Sequence, residues 1–188
     1  MSTNVNDSPK GYNRIAIFDP TNKRIVFLDP VDGGIIPVVD LEDSMVNRES
    51  FYTAVVKDEK LKPAKKKYIY LRPSSNKIEV HISRKSSIYA DKPVSVNLYE
   101  YPIITDSGIP VKTQNSDRNS SRVATLKIYE DPTISDLGEL FLPIYVENEK
   151  NPTSTIILKK KSDYLVEIVP ESKNTSIIAS FAWFEADR

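Results

Sequence analysis

Two stretches of the chain, thirty residues apart, carry the same pattern, and this repeat limits the possible folds more than any other feature. Residues 94–108 read VSVNLYEYPIITDSG, and residues 124–138 read ATLKIYEDPTISDLG. In both copies alternate residues are apolar up to the Tyr-Glu pair, which is the period of a strand with one buried face. The repeat therefore predicts two related strands of one sheet.

Each copy continues into a proline and then an Asp-x-Gly sequence, which predicts a turn. Proline has no N–H to donate to a strand ladder and is expected to end the strand. The aspartate offers a side-chain acceptor, and the glycine can adopt a positive φ. We interpret these repeated residues as structural turns: Pro102, Asp106, Gly108, Pro132, Asp136 and Gly138.

The composition excludes several classes of protein. Lys+Arg and Asp+Glu are balanced at 26 each, so the chain has no net field to attract a polyanion, and we expect no direct binding to nucleic acid. Without cysteine there is no disulfide and no thiolate metal site, as in proteins of a reducing cytosol. No signal-like start and no apolar run approaching ~20 residues is present, so we expect a soluble chain without membrane attachment.

Short apolar runs alternate with turn residues along the whole chain, which predicts an all-β protein. From Phe51 onward, the expected strands suit an antiparallel two-sheet β-sandwich of jelly-roll-like type over residues 51–188. We predict a core that contains Val96, Leu98, Leu126, Ile128, Leu165 or Val166, and Phe181 or Trp183. The predicted strands are 51–57, 67–72, 77–83, 94–100, 122–129, 139–146, 154–159, 163–169 and 176–185.

Residues 1–50 are predicted to form an amino-terminal arm. Strands at 14–18 and 24–28 would make a hairpin, and 35–39 a third short strand. Such short pieces need a surface to pack on, either the second face of the sandwich or a neighbouring subunit, and the sequence favours neither. The candidate interface residues are Ile15, Ile17, Phe18, Ile25, Phe27, Ile35, Ile36 and Trp183.

Few residues suggest chemistry, and we predict that the chain is not an enzyme and needs no cofactor or metal. His81 is the only histidine and is expected on the surface, since no second histidine or cysteine can complete a dyad. Glu100 and Glu130 could be read as the two carboxylates of a glycosidase, but their separation in sequence says nothing about the spacing which that chemistry needs. We interpret them as residues at the ends of strands that stabilise the following turns. Lysine runs at 57–67 and 159–161 are expected to be solvated, and the tyrosines with Trp183 to be core or interface rather than a sugar platform.

The order of these motifs resembles small β-sandwich virion proteins of tailed bacteriophages. The similarity covers about residues 51–188 and includes both repeats, the loop Arg118-Asn-Ser-Ser121 and the closing Trp183-Phe-Glu185. The glycine-rich loop common in that family after the second repeat is absent here, and the first fifty residues have no counterpart.

This resemblance implies a structural protein of the virion, assembled in the host cytoplasm. It favours a capsid accessory or decoration protein that forms a homo-oligomer and binds the major capsid protein or another virion protein. A neck or tail-collar component and a carbohydrate-binding module on the virion remain as alternatives.

Overall fold

A computed structural model describes residues 15–19, 24–28, 50–62, 65–150 and 155–187. The chain divides into two compact units, residues 1–40 and residues 41–188. In the first unit, β1 (Ile15–Asp19) and β2 (Arg24–Leu28) form an antiparallel two-stranded sheet, which confirms the predicted hairpin. The predicted strand at 35–39 lies outside the described residues.

The described part of the second unit contains β-strands and no helix, which confirms the predicted all-β class. Each of the nine strands predicted from Phe51 onward is present, with shifted ends. Four short strands were not predicted: β7, β8, β9 and β11. The strands are β3 (Phe51–Leu61), β4 (Lys67–Pro73), β5 (Ile78–Ile82), β6 (Ser87–Glu100), β7 (Ile103–Asp106), β8 (Ile109–Pro110), β9 (Gln114–Asn115), β10 (Leu126–Glu130), β11 (Thr133–Asp136), β12 (Glu139–Lys150), β13 (Ile156–Leu158), β14 (Tyr164–Pro170) and β15 (Thr175–Asp187).

Eleven of these strands form one curled antiparallel sheet in the order β13-β5-β15-β6-β14-β4-β10-β8, with β12 beside β6, β3 beside β15 and β9 beside β3. The long strand β6 joins two halves of this sheet. Its residues 94–100 pair with β14, whereas its residues 87–90 pair with β15. Pro93 lies between these segments, where it can donate no hydrogen bond. Opposite it, the β12 register shifts after Val146.

The two halves of the curled sheet enclose one large apolar core. Most of the predicted core residues lie in it, including Val96, Leu126 and Ile128, while Leu98 is partly buried and packs against it. Trp183 is fully buried, and its ring stacks on Tyr52 at 5.7 Å. Trp183 is therefore a core residue, and its assignment as a candidate interface residue is wrong: the indole is enclosed by its own chain.

The two repeats exchange their returning strands. Beyond Pro102 and Pro132 the chain does not simply turn, as the sequence suggests, but forms β7 and β11, which pair with each other in a separate small sheet. The chain then crosses over. The strand after the first repeat, β8, pairs with β10 of the second, and the strand after the second, β12, pairs with β6 of the first. We call residues 101–110 and 131–140 the crossover segments.

The crossover segments follow the same backbone course. Tyr101 and Asp131 begin them with φ of 59° and 53°, and Gly108 and Gly138 close them with φ of 82° and 83°. The N–H groups of Gly108 and Gly138 donate to the Oδ1 atoms of Asp106 and Asp136 at 2.9 and 2.7 Å. The repeated Asp-x-Gly residues therefore form the side-chain-capped turns with positive φ that the sequence predicts.

No helix in the described segments has the length and apolar character needed to cross a bilayer.

Candidate functional site: an open edge strand beside an apolar cleft

Strand β12 forms an edge of the curled sheet. Within the part of the chain that the structure describes, it pairs with β6 along one side and with no strand along the other. Three large apolar side chains on it are half exposed: Leu140 (54%), Phe141 (50%) and Tyr145 (54%). A long edge strand with exposed apolar groups is a template for pairing with another chain, and charge, proline or a bulge limits that pairing. Pro143 and two register shifts interrupt β12, so its free side offers short stretches for pairing and not one continuous ladder.

An apolar cleft lies beside this edge. Leu142, Ile144 and Val146 of β12 line one side, and Ile156 and Leu158 of β13 line another. The cavity volume is about 90 Å³, and the remaining lining side chains, from strands β4, β5, β6, β14 and β15 and from Ser86, are mostly aliphatic. The cleft opens into the core between the two halves of the sheet. An apolar side chain that entered it would be buried without losing a hydrogen bond.

The predicted candidate interface residues of the arm cannot be compared with this cleft. Ile15, Ile17, Phe18, Ile25 and Phe27 lie in β1 and β2, of which only the backbone pairing is described. Ile35 and Ile36 lie outside the described residues. These assignments stay predictions.

The glutamates at the ends of the repeated strands are both ion-paired. Glu100 accepts from Lys159 Nζ at 2.6 Å, and Glu130 accepts from Lys67 Nζ at 2.8 Å. Lys67 also contacts Asp131 Oδ2 at 2.9 Å, and its side chain is only 5% exposed. The expectation that the lysine runs are solvated is therefore wrong for Lys67, which is buried against Glu130 and Asp131, whereas Lys159 pairs with Glu100 and keeps 57% of its side chain exposed.

The environment of His81 differs from the expected surface position. Its ring stacks on Phe184 at 4.6 Å, and its side chain is 16% exposed. Its Nε2 lies 3.5 Å from Glu79 Oε2 on the same strand. The prediction of a surface histidine is wrong because Phe184 on the neighbouring strand β15 covers the ring.

A buried carboxylate that the sequence analysis did not single out lies on the face of the sheet opposite the core. Glu167 accepts from Lys66 Nζ at 2.7 Å and Tyr68 Oη at 3.1 Å through Oε1, and from Asn97 Nδ2 at 2.9 Å and Tyr99 Oη at 3.0 Å through Oε2. Burial favours a raised pKa for Glu167, but the four donors outweigh it and lower the pKa below the usual 4.5. A glutamate between Val166 and Ile168 in an apolar strand is the signal that could have identified it.

A second buried carboxylate, Glu185, fastens the end of the last strand to the start of β10. Glu185 accepts from the N–H of Thr125 at 2.8 Å, the N–H of Leu126 at 2.9 Å and Trp183 Nε1 at 3.2 Å. The closing Trp-Phe-Glu motif therefore has a structural role, because its glutamate connects β15 to β10. No group of three or more metal-ligating side chains is present among the described residues.

Comparisons of the chain with protein-family models, curated proteins and solved structures gave no match.

Proposed function

We propose that this chain is a non-enzymatic structural component of a tailed-bacteriophage virion, of the capsid accessory or decoration type, assembled in the host cytoplasm. The ordered motifs of residues 51–188 support this proposal through their resemblance to small β-sandwich virion proteins. We also propose that the curled sheet is a jelly-roll-like sandwich whose two sheets share β6. The single observation that carries the proposal is the open edge of β12 beside the apolar cleft.

The edge and the cleft suit the same kind of partner. An added strand would pair through its main chain with the free side of β12. Because side chains alternate along a strand, every second residue of that strand would point toward the cleft lined by Leu142, Ile144 and Val146. The ligand that fits both features is an extended apolar segment of the major capsid protein or another virion protein.

The charge balance supports an apolar mode of attachment. With 26 cationic and 26 anionic side chains, the chain has no long-range field to steer it to a charged lattice. Attachment by strand pairing and buried apolar area depends little on ionic strength, whereas exposed charge contacts are screened within about 8 Å at physiological salt. We therefore propose that attachment to the particle persists at high salt.

The direct test is the copy number of the chain in purified virions, measured by quantitative mass spectrometry against the major capsid protein. Hundreds of copies per particle support a decoration protein. Tens of copies per particle would indicate a neck or tail-collar component instead. Absence of the chain from particles would overturn the proposal. The remaining alternative would then be a carbohydrate-binding module. Such a module could not use Trp183 to stack on a sugar, because this side chain is buried.

Matched variants test the proposed edge. Leu140→Asp and Tyr145→Asp place a charge on exposed positions of β12, and we expect both variants to fold and to lose particle binding. Val123→Asp is the control, since Val123 is 70% exposed and lies outside β12. Equal binding by all three variants would show that β12 is not the attachment edge.

A further inference from the structure

The exchanged repeats place two polar clusters at equivalent positions on the outer face of the sheet. Glu167 lies opposite Asn97 between β14 and β6, and Arg72 lies opposite Lys127 between β4 and β10. Asn97 and Lys127 are equivalent positions of the two repeats, because Asn97 lies three residues before Glu100 and Lys127 lies three residues before Glu130. Arg72 therefore occupies in one half of the sheet the position that Glu167 occupies in the other.

The surrounding residues correspond in the same way. The N–H of Tyr101 donates to the carbonyl of Asp163, and the N–H of Asp131 donates to the carbonyl of Tyr68, so Asp163 and Tyr68 are equivalent. Two residues before them lie the lysines Lys161 and Lys66. The equivalent tyrosines at the repeated strand ends are Tyr129 and Tyr99.

In the first cluster the chain supplies its own anion. The Glu167 carboxylate takes hydrogen bonds from Lys66 and Tyr99 and from two further donors, and its side chain is 3% exposed. This cluster shows how the scaffold binds one carboxylate with an ammonium group and tyrosine hydroxyls.

In the second cluster three cations lie together, and no carboxylate occupies the position equivalent to Glu167. Arg72, Lys127 and Lys161 line a cleft of about 410 Å³ together with Tyr129 and Asp163. No carboxylate among the described residues forms an ion pair with these three cations; Lys127 Nζ donates to the backbone carbonyl of Ala124 at 2.9 Å. The Asp163 carboxylate accepts from the Tyr70 hydroxyl at 2.7 Å.

Like charges opposite each other on neighbouring strands destabilise a sheet. Arg72 and Lys127 are such a pair. An anion in the cleft would relieve their repulsion, and the planar guanidinium of Arg72 can bind a carboxylate or a phosphate through two hydrogen bonds. The three cations and the Asp163 carboxylate leave a formal charge of plus two in the cleft, which exceeds the single charge of a carboxylate and matches the roughly −1.5 to −2 of a phosphate group.

We propose that the cleft lined by Arg72, Lys127, Lys161 and Tyr129 binds a phosphate group, which takes the place of the Glu167 carboxylate in the equivalent cluster. The phosphate is either the free ion or a monoester on a small molecule such as a sugar. This site is separate from the proposed attachment edge on β12, and neither proposal requires the other.

Isothermal titration calorimetry of the full chain at low salt tests the site, with inorganic phosphate, glucose 6-phosphate and acetate as probes. We expect phosphate to bind more tightly than acetate, and Arg72→Gln and Lys161→Gln each to weaken phosphate binding by about tenfold or more. Lys112→Gln is the control, since it removes the same charge from an exposed position elsewhere. Tighter binding of glucose 6-phosphate identifies a monoester as the ligand, and equal binding identifies the free ion.

Arg72→Glu is a second variant whose result does not depend on a loss of folding. It gives the second cluster the acid that the first has, so we expect the glutamate to pair with Lys127 and Lys161, phosphate binding to disappear and the melting temperature to rise. No phosphate binding by the native chain at millimolar concentration, retained binding by Arg72→Glu, or an equal loss in Lys112→Gln would overturn the proposal.

Discussion

Gly108 lies directly against the backbone carbonyl of Glu130, and a β-carbon at Gly108 would overlap that oxygen. Gly138 has the same relation to the carbonyl of Glu100. Each glycine therefore closes the turn of its own repeat while it packs on the strand end of the other. The two repeats are held together by contacts that neither could make alone.

We expect Gly108→Ala and Gly138→Ala each to lower the free energy of unfolding by more than ~1 kcal/mol, because both positions combine a positive φ with backbone in van der Waals contact. Chemical denaturation measures the change. Ser107→Ala is the control beside Gly108, since Ser107 does not have a positive φ. Glycine variants as stable as Ser107→Ala would show that the crossover relaxes to admit a side chain.

Leu126 is fully buried at the start of β10 and tests whether this strand faces the core. Leu126→Ala is expected to cost on the order of 2 to 5 kcal/mol, since it removes buried methyl groups and leaves a cavity. Val123→Ala, three residues away and 70% exposed, should change stability by less than ~0.5 kcal/mol. Similar costs for the two variants would contradict the burial of this strand.

Glu185 gives a third expectation, because it accepts from two backbone N–H groups and from the only tryptophan. Glu185→Gln keeps the shape but loses the charge and presents an amide N–H₂ to donors. We expect a loss of about 1 to 3 kcal/mol and a changed Trp183 emission spectrum in the folded state. An unchanged emission spectrum and an unchanged free energy of unfolding would mean that the hydrogen bonds of Glu185 contribute little to stability.

The stability of the fold should fall at acid pH through Glu167. The folded-state pKa of this carboxyl is below its usual 4.5, so the stabilisation is complete above that value and is lost as the pH falls toward the folded pKa. Melting temperatures from about pH 7 down to about pH 3 should therefore drop more steeply for the native chain than for Glu167→Gln. Parallel curves would show that other carboxyls dominate the acid transition.

The sequence predicts the local features of this fold well. Alternation of apolar residues located β6 and β10, and the Asp-x-Gly pattern predicted the positive φ at both glycines. These features depend on residues close together in the chain. The exchange of strands depends on residues that are far apart in the chain. The sequence of either repeat alone does not indicate which strand end its glycine will contact.

The polar clusters escaped sequence analysis for the same reason. Glu167 is held by Lys66, Tyr68, Asn97 and Tyr99, which are separated from it by about 70 to 100 positions in the chain. Only the register of three strands brings them together. Trp183 was assigned both to the core and to an interface, since its strand is apolar on both faces, and only the packing of Tyr52 decides between them.

We propose that β12 is the edge to which a virion protein adds a strand. Hydrogen–deuterium exchange of the native chain, free and bound to particles, tests it most directly, because strand addition protects the edge amides that do not pair with β6. We expect slower exchange within Glu139–Lys150 in the bound state and little change in β3, β5 and β13. Unchanged exchange in β12 upon binding would contradict the claim.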